Sequence, residues 1–317
     1  SKDHYFGRNL DLEFSYNQKV TIVPRNYEFN FRKVKPMKSH YAMIGMAFVV
    51  ENYPLYYDAT NEKGLSMAGL NFPGNADYKQ EVEGIDNIAP FEFIPWILGQ
   101  CATIAEVKSL LDRINLINID FSKELPLSPL HWIISDKEVS ITVESVKAGL
   151  KIYDNSIGIL TNNPTFDIQM FNLNNYINIT KEVPENRFSS KLDLDIYSRG
   201  MGAIGLPGDL SSSSRFVKAA FTKLNSISGT SESESISQFF HILGSVNQER
   251  GCVRLAKDTY EITIYSSCCN TDKGIYYYKT YENSQITGID LYNENLDSQI
   301  LISYPLISGQ HIKMQNR

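Results

Sequence analysis

Little in this chain points to a metal, a nucleotide or a membrane. The four cysteines, at positions 101, 252, 268 and 269, form no C-x-x-C pair, and no histidine stands at metal-ligand spacing from them. Zinc-finger and thioredoxin-type readings are thereby removed. Vicinal Cys268 and Cys269 on a strand would point to opposite faces and resist a relaxed bridge. Reduced thiols are therefore expected, and with them a cytoplasmic location. No G-x-x-x-x-G-K-[ST] or G-x-G-x-x-G loop is present to cradle phosphates, and there is neither a G-x-S-x-G elbow nor a pair of histidines four apart. A nucleotide site, an elbow-type serine nucleophile and an H-E-x-x-H zinc site lack local support. Basic residues cluster nowhere beyond "FRKVKPMK" (31–38), and the formal net charge is −6. Nucleic acid is excluded as a partner, because it would need a concentrated positive footprint. No apolar run approaches the roughly 18 residues of a membrane-spanning helix, so no membrane insertion is expected.

What the chain does have is aromatic and β-forming character. Of its 317 residues 42% are hydrophobic, with 19 Tyr and 16 Phe spread over short alternating runs. Strand patterns fill the first third, including "YPLYYDATNEKGLSMAGLN" (53–71), which reads as strand, turn at Asn61-Glu62-Lys63-Gly64, strand. Two helices follow, "PFEFIPWILGQ" (90–100) and "TIAEVKSLLDRI" (103–114), the second opening on a Thr103/Glu106 capping box. Strands return in "LHWIISD" (130–136), "SITVESV" (140–146), "LKIYD" (150–154) and "IGILTN" (157–162). A second helix pair is expected over 213–225 and 235–246, with "SISGTSESES" (226–235) as the loop before the latter. The strands "YEITIYSSCC" (260–269), "GIYYYKTY" (274–281) and "SQITGIDLY" (284–292) close the chain. This order predicts an α+β fold, a four-layer αββα sandwich of two antiparallel sheets in one domain over 1–317.

Four stretches put polar residues where packing does not ask for them. In "FGRNLDLEFSYN" (6–17), Arg8 and Asp11 interrupt a strand pattern. Residues three apart on a strand face opposite ways, so the two share a face only if the strand ends near Leu10. "GLSMAGLNFPG" (64–74) ends in Asn71, and "LTNNPTFD" (160–167) stops at Asn162-Asn163-Pro164. In "GLPGDLSSSSRF" (205–216) Arg215 falls in the first turn of a helix, where a cation opposes the macrodipole. Each has an ordinary alternative: a surface edge strand, turn asparagines before Pro or Gly, a solvated arginine. Of the five histidines, His131 reads as a packed strand residue with a satisfied ring.

Taken together and in order, "YFGRNLD", "NEKGLSMAGLNFPG", "LTNNPTFD" and "GLPGDLSSSSRF" resemble the choloylglycine hydrolase family. "PFEFIPWILGQ", "LPLSPLHW" and "KGIYYYKTYENSQITGID" extend the resemblance over nearly the whole chain. It implies an N-terminal-nucleophile hydrolase of αββα fold that splits the amide between a bile acid and glycine or taurine. Arg8, Asp11, Asn71, Asn162 and Arg215 match the family's active-site positions, and Leu10, Phe121, Leu125 and Leu130 match its apolar pocket. By resemblance Arg8 and Asp11 place and tune a nucleophilic cysteine. Asn71 and Asn162 suit oxyanion and amine-positioning roles, and Arg215 holds the network together. No cofactor or metal is called for; conjugated bile salts are the expected partner, and a homo-oligomer, a tetramer, the expected assembly.

The family's nucleophile is an N-terminal cysteine, whereas all four cysteines here are internal. Ser1 lies too close to Arg8 to take its place, and Ser1-Lys2-Asp3 reads instead as a hairpin turn. A cysteine-headed strand of about seven residues is therefore expected before Ser1. It would pair with the strand at 4–9, and without it backbone groups of His4, Phe6 or Arg8 should lack partners. Two alternatives stand beside bile salt hydrolysis: a penicillin V acylase, disfavoured because such relatives tend to carry Tyr at the Asn71 position, and a nucleophile-lacking protein that binds amphiphiles.

Overall fold

The computed structural model describes residues 2–316, so the reading of Ser1 as a turn residue lies outside the described residues. Two short strands, β1 (Tyr5–Phe6) and β2 (Asn9–Leu12), open the chain. They are followed by β3 (Lys19–Val23), β4 (Met43–Val50), β5 (Tyr53–Asn61) and β6 (Ser66–Asn71). β7 (Asp86–Ile88) leads into helices α1 (Phe93–Gln100) and α2 (Ile104–Leu111), after which β8 (Ile114–Leu116) pairs with β7 in parallel. β9 (Leu130–Ser135), β10 (Ser140–Val146) and β11 (Gly149–Asp154) come next, then α3 (Phe166–Asn172), α4 (Ser212–Asn225) and α5 (Glu232–Gly244). A small pair, β12 (Arg254–Ala256) and β13 (Thr259–Tyr260), precedes β14 (Ile262–Asn270), β15 (Ile275–Thr280), β16 (Thr287–Asp290) and β17 (Ile302–Pro305).

Two antiparallel sheets result. One runs β11-β10-β9-β6-β5-β4-β3-β17; in the other β14 pairs with β1, β2 and β15, and β15 with β16. Alternation along the strands gives each sheet one inner face. Val20, Ile22, Ile44 and Met46 of the larger sheet meet Leu10, Tyr265, Tyr276 and Tyr278 of the smaller. Burying such side chains is worth about 1.5–3 kcal/mol each. The outer face of the larger sheet is covered by α1 and α2, with Trp96, Ile97 and Val107 packed on Met67, Ile134 and Val143. On the smaller sheet, Ile236 and Phe240 of α5 pack against Cys268. The four-layer αββα sandwich is the architecture read from the sequence.

Several local expectations change. β2 does not end near Leu10 but runs to Leu12, and a register shift in β14 between Thr263 and Tyr265 lies opposite it. Arg8 sits in the break before the strand, with Asp11 inside it. The strand alternation rule therefore does not relate the two side chains, because the chain is not in strand at Gly7-Arg8 and resumes it only at Asn9. No strand forms over 157–162. Asn155 takes over the backbone of that segment, accepting from Gly158 N (2.8 Å) and donating to Ile159 O (2.9 Å). The loop read over 226–235 ends at Ser231, and its last four residues, 232–235, are the first turn of α5, capped by Ser231 and Glu234 in a reciprocal box. At α2, Thr103 caps Glu106 N, but the Glu106 carboxylate reaches Ala102 N rather than the cap's own N–H.

The expected unpaired groups at His4, Phe6 and Arg8 are satisfied. Residues of that parity face β14: Thr271 N donates to His4 O (3.0 Å), Ser267 N donates to Arg8 O (2.8 Å) and Phe6 stands opposite Cys269. His4 N donates to Asp272 and Arg8 N to Ser267 Oγ. Among the described residues, β1 and β2 pair with no strand other than β14. Among the described residues no helix is long and apolar enough to cross a membrane.

Candidate active site

Strand ends and one helix start converge on a single cleft of about 880 Å³ between the β2 end, the β6 end and the N-terminus of α4. The approach is close at the start. A Cβ on Gly7 would lie 2.0 Å from Ser267 O, so only glycine lets the chain pass β14 there. The next residue, Arg8, turns its guanidinium onto the larger sheet, where Nη1 donates to Tyr57 O (3.0 Å) and Gly69 O. Its Nε donates to Asn9 O (3.2 Å). Arg8 thus ties the entry of β2 to β5 and β6 through carbonyls, which fixes the cleft floor.

Asp11 points into the cleft. Its Oδ1 accepts from Thr263 Oγ1 at 2.7 Å, and its Oδ2 lies 3.8 Å from Arg215 Nη1. Burial pushes the Asp11 carboxyl above the usual range, opposed by the Thr263 hydroxyl and by Arg215 and Arg8. Arg215 is no solvated surface cation, since its side chain is 13% exposed. Its Nε donates to Leu210 O (3.1 Å) and its Nη2 to Asn162 Oδ1 (2.7 Å). Asn162 in turn donates from Nδ2 to Asn71 O (2.8 Å), while its backbone N donates to Ser212 Oγ (2.8 Å). A continuous polar path therefore runs Thr263–Asp11–Arg215–Asn162–Asn71, joining four of the five residues singled out in the sequence. Arg8 stands beside it and reaches it by charge alone.

The other wall is apolar. Leu10, Phe121, Leu125 and Leu130 all line the same cleft. Phe121 meets Phe91 edge to face at a centroid distance of 5.2 Å and Tyr53 at 5.8 Å. Arg32 lies over both phenylalanine rings, 5.7 and 5.6 Å from their centroids, and its Nη2 donates to Phe121 O (2.9 Å). An apolar wall facing a small set of convergent polar groups is the composition of a site for an amphiphile.

None of the cysteines lines this cleft among the described residues. Cys101, Cys268 and Cys269 are buried and Cys252 is exposed, all four as free thiols. Burial pushes the Cys101 and Cys269 thiols up to about 12, the opposite of what a nucleophile needs.

Sequence reading missed Asp58. It is fully buried between the sheets, where its carboxylate accepts from Tyr265 Oη (2.6 Å), Tyr276 Oη (2.8 Å) and Ser267 Oγ (3.3 Å). Burial raises its carboxyl, and Arg8 opposes that most strongly. Its signal was an aspartate inside the apolar run "PLYYDATN". His131 is, as read, a buried strand residue with both ring nitrogens partnered.

Against known proteins, residues 1–304 match a profile described as "Linear amide C-N hydrolases, choloylglycine hydrolase family". A "Bile salt hydrolase/transferase" of Lactiplantibacillus plantarum is 62% identical over 308 residues, covering 97% of this chain and 95% of that protein. A crystal structure of a Cys-to-Ala mutant of conjugated bile acid hydrolase from Clostridium perfringens superposes with TM-score 0.92 at 40% identity, covering 99% of this chain and 97% of that one. Penicillin V acylase from Agrobacterium tumefaciens shares the fold, with TM-score 0.73 at 18% identity over 97% of this chain and 89% of that one.

Proposed function

The chain belongs to the choloylglycine hydrolase family of linear amide C–N hydrolases, and from that premise we propose that it releases glycine or taurine from conjugated bile salts. The observation that carries the reading is the cleft itself, in which the Asp11–Arg215–Asn162–Asn71 path faces the wall of Leu10, Phe121, Leu125 and Leu130. A steroid body fits the apolar side, and the scissile amide would then lie over the polar path.

In this reading a cysteine thiolate attacks the amide carbon and its own α-amino group carries the proton to the leaving amine. The C–N bond breaks, an acyl-thioester remains, and water hydrolyses it. None of the four internal cysteines suits that role, so the nucleophile is proposed on a strand preceding Ser1. Arg8 and Asp11 place and tune the cysteine. Asn71 and Asn162 donate to the oxyanion and position the amine, and Arg215 fixes Asn162. Neither cofactor nor metal takes part.

The whole of 1–317 is read as one domain. We further read the working form as a cytoplasmic homotetramer. Its free cysteines support the location. The apolar side chains of Ile177, Val183, Phe188 and Tyr197, each at least 73% exposed on one long excursion, support the assembly.

The test is turnover of glycocholate, taurocholate and penicillin V side by side by protein with its natural N-terminus, whose first residue is read by sequencing. Bile salts should be cleaved fastest and the first residue should be Cys. Faster turnover of penicillin V would overturn the substrate, and no turnover of any would favour an amphiphile-binding protein.

A further inference from the structure

Asn71 and Asn162 come from segments of different kinds. Asn71 ends β6 and is held by the ladder to β9, opposite Leu130. Asn162 ends the stretch 157–162, which pairs with no strand. With no ladder, the position of Asn162 depends on whatever grips that stretch, and one side chain does so from directly behind the cleft.

His131 of β9 is fully buried. Its Nε2 lies 2.7 Å from Thr161 O, the carbonyl just before Asn162. A backbone carbonyl only accepts, so this nitrogen carries a hydrogen and donates it. The ring lies flat on Phe72, the residue just after Asn71, with centroids 4.1 Å apart and planes 8° apart. The imidazole therefore touches the immediate neighbour of each asparagine. It is oriented by Glu144 of β10, also fully buried, whose Oε1 is 3.0 Å from Nδ1 and also accepts from Phe166 N (3.0 Å). The Glu144 contact at Nδ1 and the Thr161 contact at Nε2 together fix which way the ring faces.

We propose that His131, oriented by Glu144, is a positioning residue that sets the spacing of Asn71 and Asn162 across the cleft. What singles His131 out is that its two forward contacts fall on the residues next to Asn162 and Asn71. The inference rests on the proposed hydrolysis, since that reaction is what the spacing serves.

The test compares His131→Gln with His131→Asn in the full-length enzyme, by crystal structure and by kinetics on glycocholate. A glutamine amide reaches the Nε2 position, whereas an asparagine amide reaches only Nδ1. Both variants give up the stacked ring, so both should lose similar unfolding temperature. H131Q should keep its bond to Thr161 O and hold kcat within about threefold of wild type. H131N should lose that bond, part Asn162 Nδ2 from Asn71 O, and lower kcat by about tenfold or more while KM changes less than about twofold. Equal kcat losses in the two variants, or an unmoved Asn162 in H131N, would overturn the proposal. Should either fail to fold, Phe72→Leu removes the stacked ring alone. It should displace Asn71 relative to Asn162, and an unchanged spacing there would count against the proposal. Wild-type turnover is measured alongside: its absence sinks the hydrolase reading, while the crystallographic comparison still decides the role of His131.

Discussion

Arg215 on α4 and Asp11 on β2 face each other across the cleft with Nη1 and Oδ2 3.8 Å apart, both side chains nearly buried. The same guanidinium donates to Asn162 Oδ1 and Leu210 O. Three partners in different directions need a planar fork of donors. Arg215→Lys should therefore behave as a loss, lowering kcat/KM for conjugated bile salts on the order of tenfold to a hundredfold. Steady-state kinetics check it, and a lysine variant close to wild type would show that charge alone suffices.

Asp11 gives a prediction about pH. Its carboxyl lies above the ordinary 3.8, burial being the main cause. Between the unfolded and folded values the native state binds more protons, so stability falls as pH rises through that window. Asp11→Asn removes this destabilisation. The variant should unfold at a higher temperature than wild type at neutral pH, with the gap closing as pH falls below about 4. Its activity should be lower throughout. Thermal unfolding across pH 3–8 is the measurement, and a gap that widens in acid would contradict the account.

Arg32 acts on the apolar wall. Its guanidinium covers Phe91 and Phe121 and donates to the Phe121 carbonyl. Arg32→Gln should loosen the loop at 120–130 and raise KM for bile salts severalfold, about 0.5–2 kcal/mol of lost cation–π contact, with kcat nearly kept. Phe121→Ala should raise KM further and also lower stability, because the ring is both wall and anchor for its loop. A pure stability loss in Phe121→Ala with KM unchanged would remove it from the pocket.

Asn61 tests the frame beneath the site. Its Nδ2 donates to Leu98 O (2.7 Å) and Cys101 O (2.8 Å), and its Oδ1 accepts from Lys63 N and Leu65 N. It joins the β5–β6 turn to the end of α1 inside the core. Asn61→Ala orphans buried backbone groups at about 1–3 kcal/mol each, so a loss of about 3 kcal/mol or more is expected. Urea unfolding with an unchanged m-value would measure it.

By itself the sequence determined the layer order, because alternating runs and helical periods are local signals that this chain states strongly. Arg8, Asp11 and Arg215 stand out in it as polar residues with no local gain, whereas Asn71 and Asn162 have ordinary turn chemistry and enter only through the resemblance to the family. What it left open depended on groups far apart in the chain. The stretch 157–162 has strand composition, but Asn155, His131 and Ser212 hold its backbone or its immediate neighbours in place of a ladder. The partners that fix Asp11, Thr263 of β14 and Arg215 of α4, lie some 250 and 200 residues away in sequence. Asp58 looked like an ordinary strand residue until two tyrosines and a serine from β14 and β15 closed over it. Only the stacking of the two sheets brings those hydroxyls to one carboxylate, and a buried charge is tolerated only where such partners meet it.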